Sequence, residues 1–219
     1  QYSITAIGTM MVQSALNILG STAVAAFTAA SKIEQIVTQA YVAMGTTMAT
    51  YCAQNMGAGK VGRIRQGFFS GTLMGFAYSI AAGAAIIFGG KYLTYLFVSD
   101  CTAEILNYVD VYLRCAGFFF IPLTIVNLYR NGIQGMGYGI LPMLAGVAEL
   151  VGRGTVALIA SANRSYVGAC MASPIAWVLA AGLLMVVYFH IMKKLSRNRK
   201  FDHSRKTEKK QRWKRVLQM

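Results

Sequence analysis

The sequence predicts an all-α membrane protein of six transmembrane helices, and three observations predict it. Charged residues are 13% of the chain, where a soluble domain carries about 25%. Apolar residues are 56%, mean hydropathy is +0.49, and the apolar mass lies in long blocks set apart by short polar or glycine-rich breaks. With about 20 residues per span and short connectors, 219 residues hold six crossings. Third, lysine and arginine gather in every second connector and in the C-terminal tail, as they do when a chain weaves through a bilayer.

The blocks follow in order. The first, Ile4 to Leu19, is short for a span and ends at Gly20-Ser21. The second, Ala23 to Cys52, is long enough to cross with tilt. Gln54-Asn55-Met56-Gly57-Ala58-Gly59 breaks it, and Lys60, Arg63 and Arg65 follow as a charged start to the third block, Phe68 to Phe88. Gly71 and Gly75 there have the spacing that permits close helix contact. Gly89-Gly90-Lys91 ends it. Leu93 to Glu104 reads as a surface segment, with Asp100 before Thr102 as a helix start. The fourth block, Ile105 to Leu128, runs into a turn at Arg130-Asn131-Gly132 and Gly135, Gly137 and Gly139. The fifth spans Ile140 to Ala160 and the sixth Tyr166 to Met192, with a polar loop between them. Pro174 inside the sixth frees a backbone carbonyl and can kink it.

Six crossings return the chain to its starting side. Lys60, Arg63, Arg65, Arg130 and the tail therefore share a side, facing Lys91, Arg164, Asp100 and Glu104. The bias predicts an inner-membrane, multi-pass protein with a cytoplasmic C-terminus. Residues 1–192 form one transmembrane lobe, its first helix truncated, and 193–219 form a basic tail, disordered or an interfacial helix. That tail supplies most of the net charge of +14, which argues against nucleic acid and for topology and anionic lipid. The start at Gln1 has no basic n-region or cleavage site, so no signal peptide is read there; it suggests a piece of a longer protein. Cys52, Cys101, Cys115 and Cys170 form no CxxC, and His190 and His203 stand apart, so no metal spacing and no catalytic constellation is read.

Several segments together resemble one family. They are Asn17-Ile18-Leu19-Gly20 with Ala23-Val24-Ala25-Ala26, then Lys32-Ile33-Glu34, then Gln54 to Gly59 followed by Arg63 and Arg65, then Leu96 to Asp100, and Gly132-Ile133-Gln134-Gly135-Met136-Gly137. In this order they resemble the C-terminal half of a MATE (multidrug and toxic compound extrusion) transporter. The resemblance implies two six-helix lobes around a central cavity, with this chain as one lobe and an N-terminal lobe as its partner. It implies export of cationic or amphipathic organic compounds, drugs among them, in exchange for Na⁺ or H⁺, by alternating access and without an organic cofactor. The Na⁺-coupled branch uses acids in its seventh and tenth spans. Here the first block has no acid, and Glu104 and Asp110 sit early in the fourth, so the ion is left open. Two other functions stand beside this one. A lipid-linked saccharide flippase would need several arginines in its cavity, and the spans offer Arg114 and Arg153, both near acids. A membrane-anchored scaffold would work through the basic tail.

Ionisable groups inside spans mark candidate sites. Glu149 and Arg153, four apart in the fifth block, share a helix face. They form an internal ion pair, or Glu149 faces the cavity as a cation or proton site tuned by Arg153. Asp110 and Arg114 repeat the spacing and form a headgroup pair or line the outer mouth. Glu34, two residues from Lys32, points elsewhere and needs a partner, sought on the first span, where Gln13 and Asn17 are polar. These three bond between helices or line the cavity. Tyr41, Met44, Met48 and Met56 pack helices or offer a soft surface to flat cations.

Overall fold

The computed structural model describes residues 2–95 and 102–216, and side chains within 6–90, 92–95 and 102–197. Seven helices follow one another: α1 (Tyr2–Leu19), α2 (Ser21–Gly57), α3 (Val61–Thr94), α4 (Ala103–Phe118), α5 (Phe120–Gly135), α6 (Ile140–Ala162) and α7 (Tyr166–Val216). α4 and α5 are two halves of one rod, bent by 53°. The lobe is thus built from six rods. α3, α6 and residues 166–197 of α7 are each long and apolar enough to cross a bilayer, and the bent pair makes a fourth. α1 is shorter, and α2 carries more polar residues along its 37. Both pack against the other helices, α1 chiefly on α6 and α2 chiefly on α5.

The turns are written in the sequence. α2 ends in a glycine cap: Gly59 takes φ +68°, and the Lys60 N–H donates to the Asn55 carbonyl at 2.8 Å. Only a residue without Cβ takes that conformation without cost. Thr102 caps α4, its Oγ1 accepting from the Ile105 N–H, with Glu104 in the first turn where a negative charge is favoured. Asp100 lies outside the described residues. The bend at Phe119 has a local cause. Pro122 has no N–H, and its ring crowds the carbonyl four residues back, at Phe118, where α4 ends.

Three boundaries differ from the expectation. α3 continues through Gly89 and Gly90 to Thr94. Gly90 is a contact there, since a Cβ would collide with Leu113 Cδ1 of α4. α5 likewise runs through Arg130 and Gly132 to Gly135, and the turn begins only at Met136. α7 passes residue 192 without a break, Pro174 included.

Along one face of α3, small residues let the bent rod come close. Gly71 meets Leu128, Gly75 meets Thr124, and a Cβ on Gly83 would lie 2.9 Å from the Gly117 carbonyl oxygen. Ser79 sits in the middle of this row. Its hydroxyl lies 2.6 Å from Thr124 Oγ1 and donates to the Gly75 carbonyl at 2.8 Å. Tyr41 of α2 donates to Ser79 at 3.1 Å, and its ring packs edge-on against Tyr78 and Phe120.

Candidate functional site

α6 is apolar enough to insert, yet carries two charges on one face, and the surrounding helices answer them separately. The internal Glu149–Arg153 pair expected from the spacing is not what forms. Glu149 Oε1 meets Arg130 Nη2 of α5 at 2.9 Å. Both side chains are largely buried, 9% and 14% exposed. Spacing puts Glu149 and Arg153 on one face, but α5 reaches the first of them, and a closer opposite charge outcompetes the one along the helix. Arg130, read as a loop charge, is therefore an interior partner.

Arg153 turns the other way. α1 crosses its stem at Gly8, where a Cβ would stand 3.1 Å from Arg153 Cδ. Arg153 also lines a cavity of about 200 Å³ where α1, α2, α4, α6 and α7 converge. Glu34 enters from α2, Thr9 from α1, Tyr112 from α4 and Ser173 from α7, with Trp177 as an aromatic wall. Tyr112 donates a hydrogen bond to Glu34 Oε2 and accepts one from Ser31 at 3.4 Å. Phe27 holds the Tyr112 ring edge-on, centroids 4.8 Å apart. Arg153 and Glu34 line the same cavity. The Arg153 Nε is buried and hydrogen-bonds nothing. The partner of Glu34 thus comes chiefly from α4, 78 residues on, and not from Gln13 or Asn17 of α1 as sought.

The other candidates sit elsewhere. Gln13 donates to Asn17 at 3.3 Å, an exposed pair along α1. Asp110 and Arg114 form the expected i,i+4 pair at 2.9 Å, with Arg114 57% exposed, so it is a rim contact. Tyr41 is buried in the α2–α3–α5 core, and its ring presents no open surface for a flat cation. Met44 and Met48 do line an open groove of about 720 Å³ between α2 and α3, with Thr47, Phe69 and Met74. No charged side chain lines it, so the smaller chamber, with two opposite charges, is where ion-dependent chemistry is possible.

Sequence reasoning missed Arg130, Tyr112, Ser31 and Ser173. Tyr112 had a signal. It stands midway between Asp110 and Arg114, and if those two face the rim, the residue between them faces inward. Arg130 had none, because its helix was taken to have ended.

The MatE family matches residues 1–159. "Probable multidrug resistance protein YpnP" of Bacillus subtilis (strain 168) is 28% identical over 137 residues, 63% of this chain and 30% of that protein. The solved outward-facing conformation of a multidrug resistance MATE family transporter of the MOP superfamily superposes with a TM-score of 0.81 at 19% identity, covering 89% of this chain and 44% of that one. A MOP superfamily transporter from Pyrococcus furiosus Vc1 (DSM3638), described as having a binding pocket of reverse polarity, superposes at 0.73 and 18% identity over 88% and 45%. The chain spans less than half the length of these relatives.

Proposed function

This chain belongs to the MATE family, and from that premise we propose that it is the C-terminal half of a secondary antiporter. The whole protein exports amphipathic or cationic organic compounds in exchange for H⁺ or Na⁺. An N-terminal lobe faces this one, the membrane is the inner one, and the basic tail is cytoplasmic. Transport proceeds by rocking one lobe against the other. Such motion responds to an ion only if the ion binds the two states with different affinity.

Glu34 is the carboxylate assigned to that role. The observation that carries it is the chamber: Glu34 is held by Tyr112 and faces Arg153 where five helices meet. A change of charge there is felt by α1, α2, α4, α6 and α7 together. Glu149 is the weaker choice, because its charge is already answered at 2.9 Å by Arg130.

The test uses the full-length protein in liposomes, with uptake of a fluorescent organic cation driven by an imposed proton or sodium gradient. The wild type is expected to accumulate dye against its gradient, and Glu34→Gln to lose at least tenfold of that rate at an equal amount of inserted protein. Unchanged accumulation by Glu34→Gln removes this residue from coupling. No gradient-driven uptake by the wild type removes the antiporter itself.

A further inference from the structure

At the end of the lobe where the tail leaves, α3 and α7 enclose a groove of about 530 Å³ whose wall is both cationic and apolar. Arg65 stands on the α3 side, Lys193 and Ser196 on the α7 side. Buried Tyr188 backs it, its ring centroid 4.5 Å from Phe68 and 5.0 Å from Tyr129. Phe189 lines the same groove and is 62% exposed. A second cavity of about 450 Å³ shares Lys193 and adds His190, Lys194 and Arg197. No carboxylate lines either cavity, and among the described residues neither Arg65 nor Lys193 has an ion-pair partner.

Exposed basic residues at the end of a span are most simply topology signals. That accounts for their side of the membrane and not for their arrangement. A topology signal needs no groove, and a solvated lysine needs no aromatic neighbour. Here cations and an apolar wall face one space, at the level where the apolar spans of α3 and α7 both end. α3 also starts there without an acidic first turn or a side-chain cap, so its positive end adds to the field. Such a wall matches a molecule with a negative head and an apolar body. We propose that this groove binds the phosphodiester head of an anionic glycerophospholipid, with an acyl chain laid against Phe189 and Met192. The phosphate sits between Arg65 and Lys193, with the Ser196 hydroxyl in the same wall. Basic pockets between membrane helices are suited to anionic heads. A zwitterionic lipid would bring its own cation to a place that already holds two. A free phosphate would answer the cations and leave the apolar wall bare. The basic tail differs in kind, since it attracts any anionic surface without fixing a place on it. The bound lipid would tie together two helices that touch each other little, and the site holds whether or not the antiport reading does.

The test counts lipid retained by the full-length protein. The protein is delipidated in detergent and titrated with phosphatidylglycerol or phosphatidylcholine of the same chains, and bound lipid is read by native mass spectrometry. Each basic residue near the surface contributes about fivefold in affinity for an anionic head, so phosphatidylglycerol is expected to bind about tenfold or more tightly. Arg65→Gln with Lys193→Gln should erase that preference. Arg65→Lys with Lys193→Arg should keep it, which separates lost charge from lost fold. Neutralising the tail, by Lys206→Gln, Lys209→Gln and Lys210→Gln, should also keep it. Equal binding of the two lipids overturns the proposal. So does a preference that survives the glutamine pair, or one lost in the tail variant. Displacement of phosphatidylglycerol by sn-glycerol 3-phosphate at equal concentration overturns it too, because the chains would then contribute nothing.

Discussion

The lobe holds its helices together in two different ways. Where α3 meets the bent α4–α5 rod, contact is made by absence: glycines at 71, 75, 83 and 90 bring the helices close, and hydroxyls of Ser79 and Thr124 cover the carbonyls this exposes. No charge is involved. Where α6 meets α5, contact is made by charge, and where α1, α2, α4, α6 and α7 converge the lobe leaves room. In lipid there is no hydrophobic force between helices, so close packing and polar contacts must serve. The first mode is dry and has one tight arrangement. The second encloses space lined by two opposite charges. Close packing and charge are thus concentrated at different contacts of the same bundle.

Three substitutions probe that division, each by unfolding the full-length protein in detergent. The largest effect is expected at the closed ion pair. Glu149→Ala strands the buried Arg130 and should cost about 3–5 kcal/mol, while Arg130→Met with Glu149→Leu should restore most of it. A single-mutant loss under about 1 kcal/mol would show that the charged side is not held by this pair. Next comes the dry side. Gly83→Ala presses a methyl to 2.9 Å from the Gly117 oxygen, a backbone atom with nowhere to go, and should cost about 1–3 kcal/mol. A neutral result would mean that α3 and α4 can separate freely. The smallest effect is expected at Asp110→Asn. Its partner Arg114 is largely exposed, and the change should stay within about 1 kcal/mol.

Much of the dry side was legible. Gly71 and Gly75 announced a close contact, and the blocks of apolar residues gave the rods. Where glycine was read as a terminator, at Gly89-Gly90 and at Arg130-Asn131-Gly132, it turned out to mark helix contact or continued helix instead. Sequence does not separate these meanings, because a missing side chain serves a turn and a crossing equally well. The charged side was legible only as a set of groups in need of partners. The spacing of Glu149 and Arg153 fixed their common face but not what that face meets. Glu34 pointed away from Lys32, yet nothing local names Tyr112, 78 residues distant. The match to the MatE family over residues 1–159 agrees with the ordered motifs.

The break at Phe119 separates the two ionic contacts along one rod. Tyr112, on one limb of the rod, holds Glu34, and Arg130, on the other, holds Glu149. One bent span thus carries a side chain into each ionic site, with Pro122 at the bend between them.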